Sequence, residues 1–317
     1  MPKLRIPTLT EIIARDPWAP RTTQKWAPRL ARKIHCWKWH SIDDAYSAMV
    51  ASVGTKDLNR DREFAIRRAV ERVYNDQMTS GTSNARTEPL AYDPEFLTDQ
   101  ANQLPFAVTP EWLIEHSPVS VANVSPAQFP DALFQPSELV AVKTSVTDPG
   151  FLYNANIGQS YAEELNAYVN QGQDCGAWFY ANPVSGHRTD KGACYADKFL
   201  TRYQHLMLES DEAPADLWLR MLVQLTLPIL AIYKSAGRSV HALVRIDAKD
   251  KPGFDQIASN LKTKLIPLGL CPGCAKATQA TRLPGVMRKE PGKTGMQRLL
   301  WLDPDADGTP IYKKETP

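Results

Sequence analysis

The last third of the chain alternates strand and helix patterns in an order that few folds accept. Apolar and polar residues alternate in RYQHLMLESD, 202–211, which predicts a half-buried strand. Helical spacing follows Pro214 in ADLWLRMLVQLTL, and two further strands, ILAIYK and SVHALVRI, flank the turn SAGR. A second helix, FDQIASNLKTKLI, ends before Gly269, and QRLLWL predicts a fourth strand. The predicted order is therefore β-α-β-β-α-β.

This order is the split βαβ arrangement of ferredoxin-like and RRM-like folds. In that topology the first and third strands are central, antiparallel neighbours. Helices cover one face of the sheet, and the other face is free for ligand. Because the end of the first strand then lies beside the start of the third, we expect Glu209 and Asp211 to meet Ser239 and His241 on the helix-free face.

The rest of the chain is expected to complete an α+β (two-layer α/β) protein. Its 317 residues are enough for about two modules with buried cores. We expect one domain of residues 106–317, in which an N-terminal α/β module, 106–200, completes the RRM-like module, 201–317. Patterns in the first of these modules predict a strand at 139–142, a helix in YAEELNAYVN and a strand in GAWFYANPVSG.

The N-terminal region, 1–105, is expected to be basic and mostly helical. Helical spacing with charges opposite an apolar side covers 42–52 and 61–76, and a stretch rich in Thr, Ser, Asn and Pro, 77–105, predicts a loop or linker. The first 40 residues hold nine Lys and Arg against two acids, together with four of the eight tryptophans.

Two interpretations of this basic, Trp-rich segment stay open. Basic residues interleaved with aromatics suit a phosphate backbone with stacked bases. The alternative is a basic amphipathic helix whose tryptophans pack on the body of the protein, since Trp is usually buried. In the first interpretation, the residues that hold DNA are Lys25, Trp26, Arg29, Lys33 and Lys38.

The expected cluster at the end of the first strand combines acids with a hydroxyl and basic groups. Carboxylates at i and i+2 of a strand share a face and can bind a divalent ion. Mg²⁺ and Mn²⁺ prefer such oxygen ligands and commonly bridge to substrate phosphates. Ser239 and His241, with Arg238 nearby, can hold a triphosphate, and phosphoryl transfer then needs little beyond metal-assisted positioning. The alternative is a surface acidic turn beside a structural strand histidine.

Several segments, read in order, resemble one protein family. They are WFYANPVSG (178–186), RYQHLMLESD (202–211), LPILAIYKSAGRSVHALVRIDAKD (227–250), TRLPGVMR (281–288) and QRLLWLD (297–303). This text resembles the archaeo-eukaryotic primase superfamily, in its phage- and plasmid-borne primase-polymerase branch, and LFQPSELVAV (133–142) is similar to that branch too. The resemblance covers about residues 130–303.

The resemblance implies a role for each motif. The family's first motif is a pair of acids that falls on Glu209 and Asp211, as metal ligands. Its second motif, S-x-H, falls on Ser239 and His241, as contacts to the phosphates of the incoming nucleotide. These are the same four residues that the strand order brings together.

Two further family features fall on the last part of the chain. Arg282 and Arg288 would line the nucleotide or template channel. The family's third motif is another acid that completes the metal site, but no acid occurs from 265 to 287, and Glu290 is a weak substitute. The identity of a third metal ligand, and with it the activity, stays open on the sequence.

The main functional hypothesis is a primase or primase-polymerase, which copies single-stranded DNA from nucleoside triphosphates with Mg²⁺ or Mn²⁺ in phage or plasmid replication. No G-x-x-x-x-G-K-[ST] is present, so a replicative helicase would be a separate partner. The alternative is a catalytically impaired, single-strand-binding replication factor with a primase fold. An unrelated RRM-like RNA binder is disfavoured. Such domains place aromatics on their central strands, whereas these strands offer His205, Met207, Glu209, His241 and Leu243, and acids repel phosphate unless a metal is present.

Two further expectations concern the location of the protein and the binding of zinc. No window of about 18 apolar residues and no signal peptide is visible, and five cysteines form no secreted-domain pattern, so we expect a cytoplasmic protein without a membrane partner. Cys271 and Cys274 form a C-x-x-C that could bind zinc with Cys175, Cys194 or His187. Because no second C-x-x-C is present, buried or free thiols are the favoured interpretation.

Overall fold

The computed structural model describes two compact units. The units are Met1–Glu88 and Pro89–Pro317, and the described residues are Ala27, Ala31, 42–53, 58–75, 91–172 and 174–313. The residues expected to hold DNA lie outside the described ones: Lys25, Trp26, Arg29, Lys33 and Lys38.

The described part of the first unit contains helices α1 (Ile42–Val53) and α2 (Arg60–Asn75). Both confirm the helices predicted from apolar spacing. The Asn59 side chain accepts a hydrogen bond from an amide in the first turn of α2, which caps that helix. Ile66 of α2 and Met49 of α1 are fully buried in a small shared core.

The second unit is an α+β protein with antiparallel sheets. Every strand and helix predicted from 139 onwards is present. In chain order its elements are α3 (Pro94–Ala101), α4 (Pro110–His116), α5 (Gln128–Leu133), β1 (Leu139–Lys143), β2 (Phe151–Asn154), α6 (Gln159–Gln171), β3 (Trp178–Tyr180), β4 (Tyr203–Glu209), α7 (Ala215–Leu222), β5 (Ile229–Lys234), β6 (Val240–Ala248), α8 (Lys251–Leu265), β7 (Ala280–Arg282), β8 (Met287–Arg288), β9 (Gly295–Met296) and β10 (Leu299–Leu302).

Helix α3 lies within the stretch where the sequence predicts a loop, so that prediction is wrong for 94–101. The Asp93 side chain caps the helix by accepting a hydrogen bond from the Phe96 amide (3.0 Å). Phe96 is buried, and Arg220 of α7 donates a hydrogen bond to the backbone that follows α3. Packing on α7 therefore makes a helix of a sequence rich in turn residues, and the boundary between the units lies before this helix instead of after residue 105.

Two four-stranded antiparallel sheets form the second unit. The first has the order β2-β1-β3-β7 and the second has the order β10-β5-β6-β4, while β8 and β9 form a separate hairpin. Strand β7 follows the second helix of the predicted RRM-like module in the sequence, but it pairs with β3 of the first sheet. The two modules expected at 106–200 and 201–317 therefore share a strand.

The predicted antiparallel pairing of β4 with β6 is confirmed, but the predicted central position of β4 is wrong. Strands β5 and β6 are central, β4 is an edge strand, and β10 pairs with β5. The outer edge of β4 is already occupied. The carboxamide of Asn182 accepts hydrogen bonds from the Gln204 and His205 amides, and Glu209 O accepts one from the Cys271 amide (2.8 Å).

The face of the second sheet that was expected to be free for ligand is covered. Helices α7 and α8 pack on β6. On the other face, the Tyr233 ring packs edge-on against Phe129 of α5, and the Tyr233 hydroxyl contacts Thr281 of β7. The two sheets therefore enclose one apolar core. Solvent reaches the ends of β4 and β6 along the margin where the two sheets meet.

Among the described residues, no helix has the length and apolar character needed to cross a lipid bilayer.

We expect Asn182→Ala to destabilise the protein by about 2–4 kcal/mol, because each buried group left unpaired costs about 1–3 kcal/mol. The fully buried Asn182 side chain accepts from the Gln204 and His205 amides and donates to His205 O and Ala277 O. Urea unfolding measures the change. The matched control is Asn260→Ala, on the exposed face of α8, and an equal effect of both substitutions would contradict the role given to Asn182.

Candidate functional site

The ends of β4 and β6 bring the four expected residues together. Glu209 is the register partner of His241, and Glu209 Oε1 lies 3.2 Å from His241 Nε2. Ser239 Oγ donates a hydrogen bond to Asp211 Oδ1 over 3.2 Å. The strand pairing alone produces this arrangement, since Glu209 ends β4 where β6 begins.

The sequence predicted that His241 lies on an open face of the sheet, but in the structure it is buried, with 4% of the residue exposed. Nδ1 lies 2.9 Å from the hydroxyl of Thr281, which is itself 2.7 Å from the Tyr233 hydroxyl. Nε2 is buried and faces Glu209, at ion-pair distance but without the alignment of a good hydrogen bond. The first sheet buries His241 because β7 lies directly over it.

Opposing electrostatic effects act on the pKa of Glu209. Burial raises the pKa of its carboxyl, but the adjacent His241, the charge of Arg282 and the Ser239 hydroxyl together outweigh burial and hold the pKa below the ordinary value. The carboxylate is therefore ionised at neutral pH although it is partly desolvated. An ionised, partly desolvated carboxylate attracts cations more strongly than one in bulk water.

Arg282 lies across the indole of Trp178, with its guanidinium carbon 3.9 Å from the ring centroid. Its Nη1 donates a hydrogen bond to the Cys175 carbonyl (2.6 Å). Burial, together with the neighbouring positive charge of Arg288, lowers the pKa of Arg282 to about 10, so the side chain stays charged at neutral pH. Arg282 thus places a partly desolvated positive charge within electrostatic range of Glu209.

Arg288 is buried and forms an ion pair with Glu290, to which its Nε donates over 3.0 Å. Glu290, the weak substitute for a third metal ligand, is therefore engaged by an arginine. Its pKa is lowered first by the hydrogen bond from Arg288. Arg238 is exposed in the turn between β5 and β6, close in sequence to Ser239.

Three residues that hold this site in place, Tyr233, Thr281 and Gln297, are not among the predicted site residues. Thr281 and Tyr233 connect His241 to the core. The fully buried side chain of Gln297 accepts from the Ala177 amide (3.0 Å) and donates to the Ala177 carbonyl (2.8 Å). Gly176, at φ +80°, makes room for this contact, because a Cβ there would lie 2.2 Å from Gln297 Oε1. Thr281 and Gln297 lie inside the segments that resemble the primase family, which is the only sequence signal that marks them.

Two carboxylates are the side chains at this site that could hold a divalent ion. Among the described residues, no group of three or more His, Cys, Asp and Glu side chains lies close enough to hold a metal. Glu209 and Asp211 supply two carboxylates, and Mg²⁺ is commonly held by one or two carboxylates together with substrate phosphates and waters. The donor set therefore fits Mg²⁺ or Mn²⁺.

The described cysteines lie in different local environments. Burial raises the pKa of Cys274 to about 12, so its thiol is protonated at neutral pH in this arrangement. Cys175 donates to the Thr144 carbonyl, and Cys194 is buried in a small cluster beside Tyr180. The Cys271 amide bonds to Glu209 O, so this C-x-x-C turn supports the end of β4 through its backbone.

Comparisons of this chain with family models, with curated proteins and with solved structures find no match.

Glu209→Gln should flatten the acid limb of the stability curve. The pKa of Glu209 in the folded state lies below its ordinary value of 4.5, so its ionised form stabilises the fold above about pH 4.5 and this contribution is lost as the pH falls through the folded-state pKa. Urea unfolding at several values between about pH 6 and about pH 3 should show the difference between wild type and variant shrinking with acid. Glu212→Gln, an exposed carboxylate in the following turn, is the control. A constant difference across that range would refute the assignment.

Proposed function

We propose that this protein is a metal-dependent nucleotidyltransferase of the primase or DNA polymerase type. It would synthesise or extend primers on single-stranded DNA in phage or plasmid replication, using nucleoside triphosphates and Mg²⁺ or Mn²⁺. The observation that carries the proposal is the pairing of Glu209 with His241 and of Asp211 with Ser239 at the shared end of β4 and β6. Two acids and two phosphate-binding groups are thus concentrated at one margin of the sheets.

The four residues have complementary roles in this proposal. The carboxylates of Glu209 and Asp211 are the metal ligands, and a divalent ion there would neutralise the charge that develops on the transferring phosphoryl group. In the free protein Glu209 lies beside His241, and the Ser239 hydroxyl donates to Asp211. When a nucleotide binds, its phosphate oxygens would replace the carboxylates as the partners of His241 Nε2 and of the Ser239 hydroxyl.

The neighbouring arginines supply the positive field that a triphosphate needs. Arg282 and Arg288 are both partly or fully buried and lie close enough for each charge to affect the other. Arg238 stands in the exposed turn next to Ser239. Charged hydrogen bonds from arginine to phosphate are stronger than neutral ones, and low exposure strengthens them further. We assign Arg238, Arg282 and Arg288 to the nucleotide or the template channel, with the helicase on a separate chain.

A second candidate is a single-strand-binding replication factor that keeps the fold without catalysis. The ion pair between Arg288 and Glu290 favours it, because it engages the acid that could serve as a third ligand. The two functions differ in one measurement. The enzyme extends a primer or starts one with Mn²⁺ or Mg²⁺, whereas the binding factor retains single-stranded DNA without incorporating nucleotide.

The double substitution Glu209→Gln with Asp211→Asn should abolish nucleotide incorporation, because it removes the charge of both metal ligands while keeping their shape. Primer-free and primer-dependent extension assays with Mn²⁺ and Mg²⁺ measure the loss. Asp247→Asn, at the far end of β6 beside Arg245, is the matched control and should remain active. Full activity of the double variant would disprove the metal site, and an inactive wild type that binds single-stranded DNA would favour the second function.

His241→Ala should lower kcat/KM for the nucleotide by about ten- to a hundredfold, since a charged hydrogen bond to phosphate contributes about 1.5–3 kcal/mol. Binding of DNA without nucleotide should change little. Steady-state extension kinetics and a DNA-binding titration test both statements, with the exposed His187→Ala as control. Unaltered kinetics together with a large loss of stability would make His241 a packing residue.

A further inference from the structure

A line of polar groups runs from the core of the protein to Glu209. It joins the Tyr233 hydroxyl to Thr281 Oγ1 over 2.7 Å, Thr281 Oγ1 to His241 Nδ1 over 2.9 Å, and His241 Nε2 to Glu209 Oε1 over 3.2 Å. The four residues belong to four strands, β5, β7, β6 and β4, so the line crosses from one sheet to the other. Tyr233, Thr281 and His241 are all buried, which excludes bulk water as a hydrogen-bond partner.

The number of available protons determines which group donates in each hydrogen bond of this line. The Tyr233 hydroxyl has one proton, and Thr281 Oγ1 is its only hydrogen-bond partner among the described residues. If Tyr233 donates to Thr281, the proton of Thr281 is free to be donated to His241 Nδ1. The reverse direction would leave the phenolic proton of Tyr233 without an acceptor in the core, which is costly. The satisfied arrangement therefore has Tyr233 donating to Thr281, and Thr281 donating to Nδ1.

We propose that Tyr233 and Thr281 are positioning residues that select the tautomer of His241 with its proton on Nε2. With Nδ1 committed as an acceptor, the proton of a neutral imidazole must be on the other ring nitrogen. In the free protein that nitrogen faces Glu209 Oε1 at 3.2 Å, an ion-pair distance without the alignment of a hydrogen bond. The tautomer is a property of the free protein. Its use, as a donor aimed at a phosphate oxygen of a bound nucleotide, rests on the proposed function.

This arrangement also explains why a buried threonine stands on β7. The neighbouring position on the same face of the first sheet, Phe179 on β3, is apolar and pairs with Thr281 in register. A valine would fill the same volume as Thr281 without a hydroxyl, so packing alone does not require threonine. The hydroxyl is needed because, among the described residues, it is the group within hydrogen-bond distance of both the Tyr233 hydroxyl and His241 Nδ1.

The tautomer can be measured directly by two-bond ¹H–¹⁵N correlation spectra of the full chain with ¹⁵N-labelled histidine, at neutral pH and without nucleotide or DNA. The chain has six histidines, and His241→Ala assigns the signal of interest. We expect a pyrrole-type Nε2 and a pyridine-type Nδ1 for His241. His205 is an internal reference of the opposite tautomer, because its Nδ1 donates to the Ala181 carbonyl (2.8 Å) and burial lowers its pKa to about 4.

Three variants separate positioning from packing. Because the nearby carboxylate of Glu209 also favours a proton on Nε2, the variants are compared in a Glu209→Gln background. There Thr281→Val and Tyr233→Phe should each give His241 a mixture of tautomers while His205 keeps its own, and Thr281→Ser should restore the signal of the Glu209→Gln protein. In extension assays, Thr281→Val should lower kcat/KM by about three- to tenfold, the equivalent of one lost hydrogen bond, with rescue by serine.

A wild-type His241 protonated on Nδ1, or a His241 signal that Thr281→Val leaves unchanged in the Glu209→Gln background, would overturn the proposal. If Thr281→Val also alters the His205 signal, the fold is damaged, and Tyr233→Phe, which removes a single oxygen, decides between the same two results. Failure of the proposed function is distinguishable. An Nε2–H tautomer in a protein that incorporates no nucleotide would retain the positioning role and discard the polymerase.

Discussion

The contact between Thr281 of β7 and His241 of β6 is the interaction on which the rest of this structure depends. It joins the two sheets at the point where β4 and β6 place their polar residues. Strand β7 lies at that position because it pairs with β3 of the first sheet, although the strands that precede it in the sequence belong to the second sheet. A site that would otherwise lie on an open sheet becomes a partly desolvated margin between two sheets.

Desolvation changes the electrostatics of the acids at this margin. Burial by itself would raise the pKa of Glu209 and favour its neutral form, but His241 and Arg282 are close enough to reverse the effect. The neighbouring positive charges are in turn partly buried, and the pKa of Arg282 is lowered for that reason. The site therefore holds opposite charges close together. Under the proposed function, a nucleotide with its metal ion would replace these internal partners at little cost in unpaired charge.

Much of the local structure was predictable from the sequence. The strands β4, β5, β6 and β10 follow from period-two and continuous apolar patterns, and α7 and α8 follow from helical spacing. The juxtaposition of Glu209 with His241 followed from a single antiparallel pairing, which the structure has. Helix α3 was missed because Asp93, Pro94 and Thr98 also read as turn residues, and only the burial of Phe96 in the second unit shows that they begin a helix.

The sequence by itself determined which residues form each element, because hydrophobic periodicity is a local property. The order of the elements also predicted which side chains share the end of β4 and β6, because it makes the two strands antiparallel neighbours although a helix and a strand separate them in the chain. Only the tertiary structure decided the order of the strands, the position of β7 and the burial of His241. Those features depend on competition for an edge: Asn182 and the Cys271 amide occupy the outer side of β4, so β10 pairs with β5. No periodicity within one segment records that competition, since its partners are far apart in the chain. For the same reason, the roles of Thr281 and Tyr233 became visible only when two sheets met.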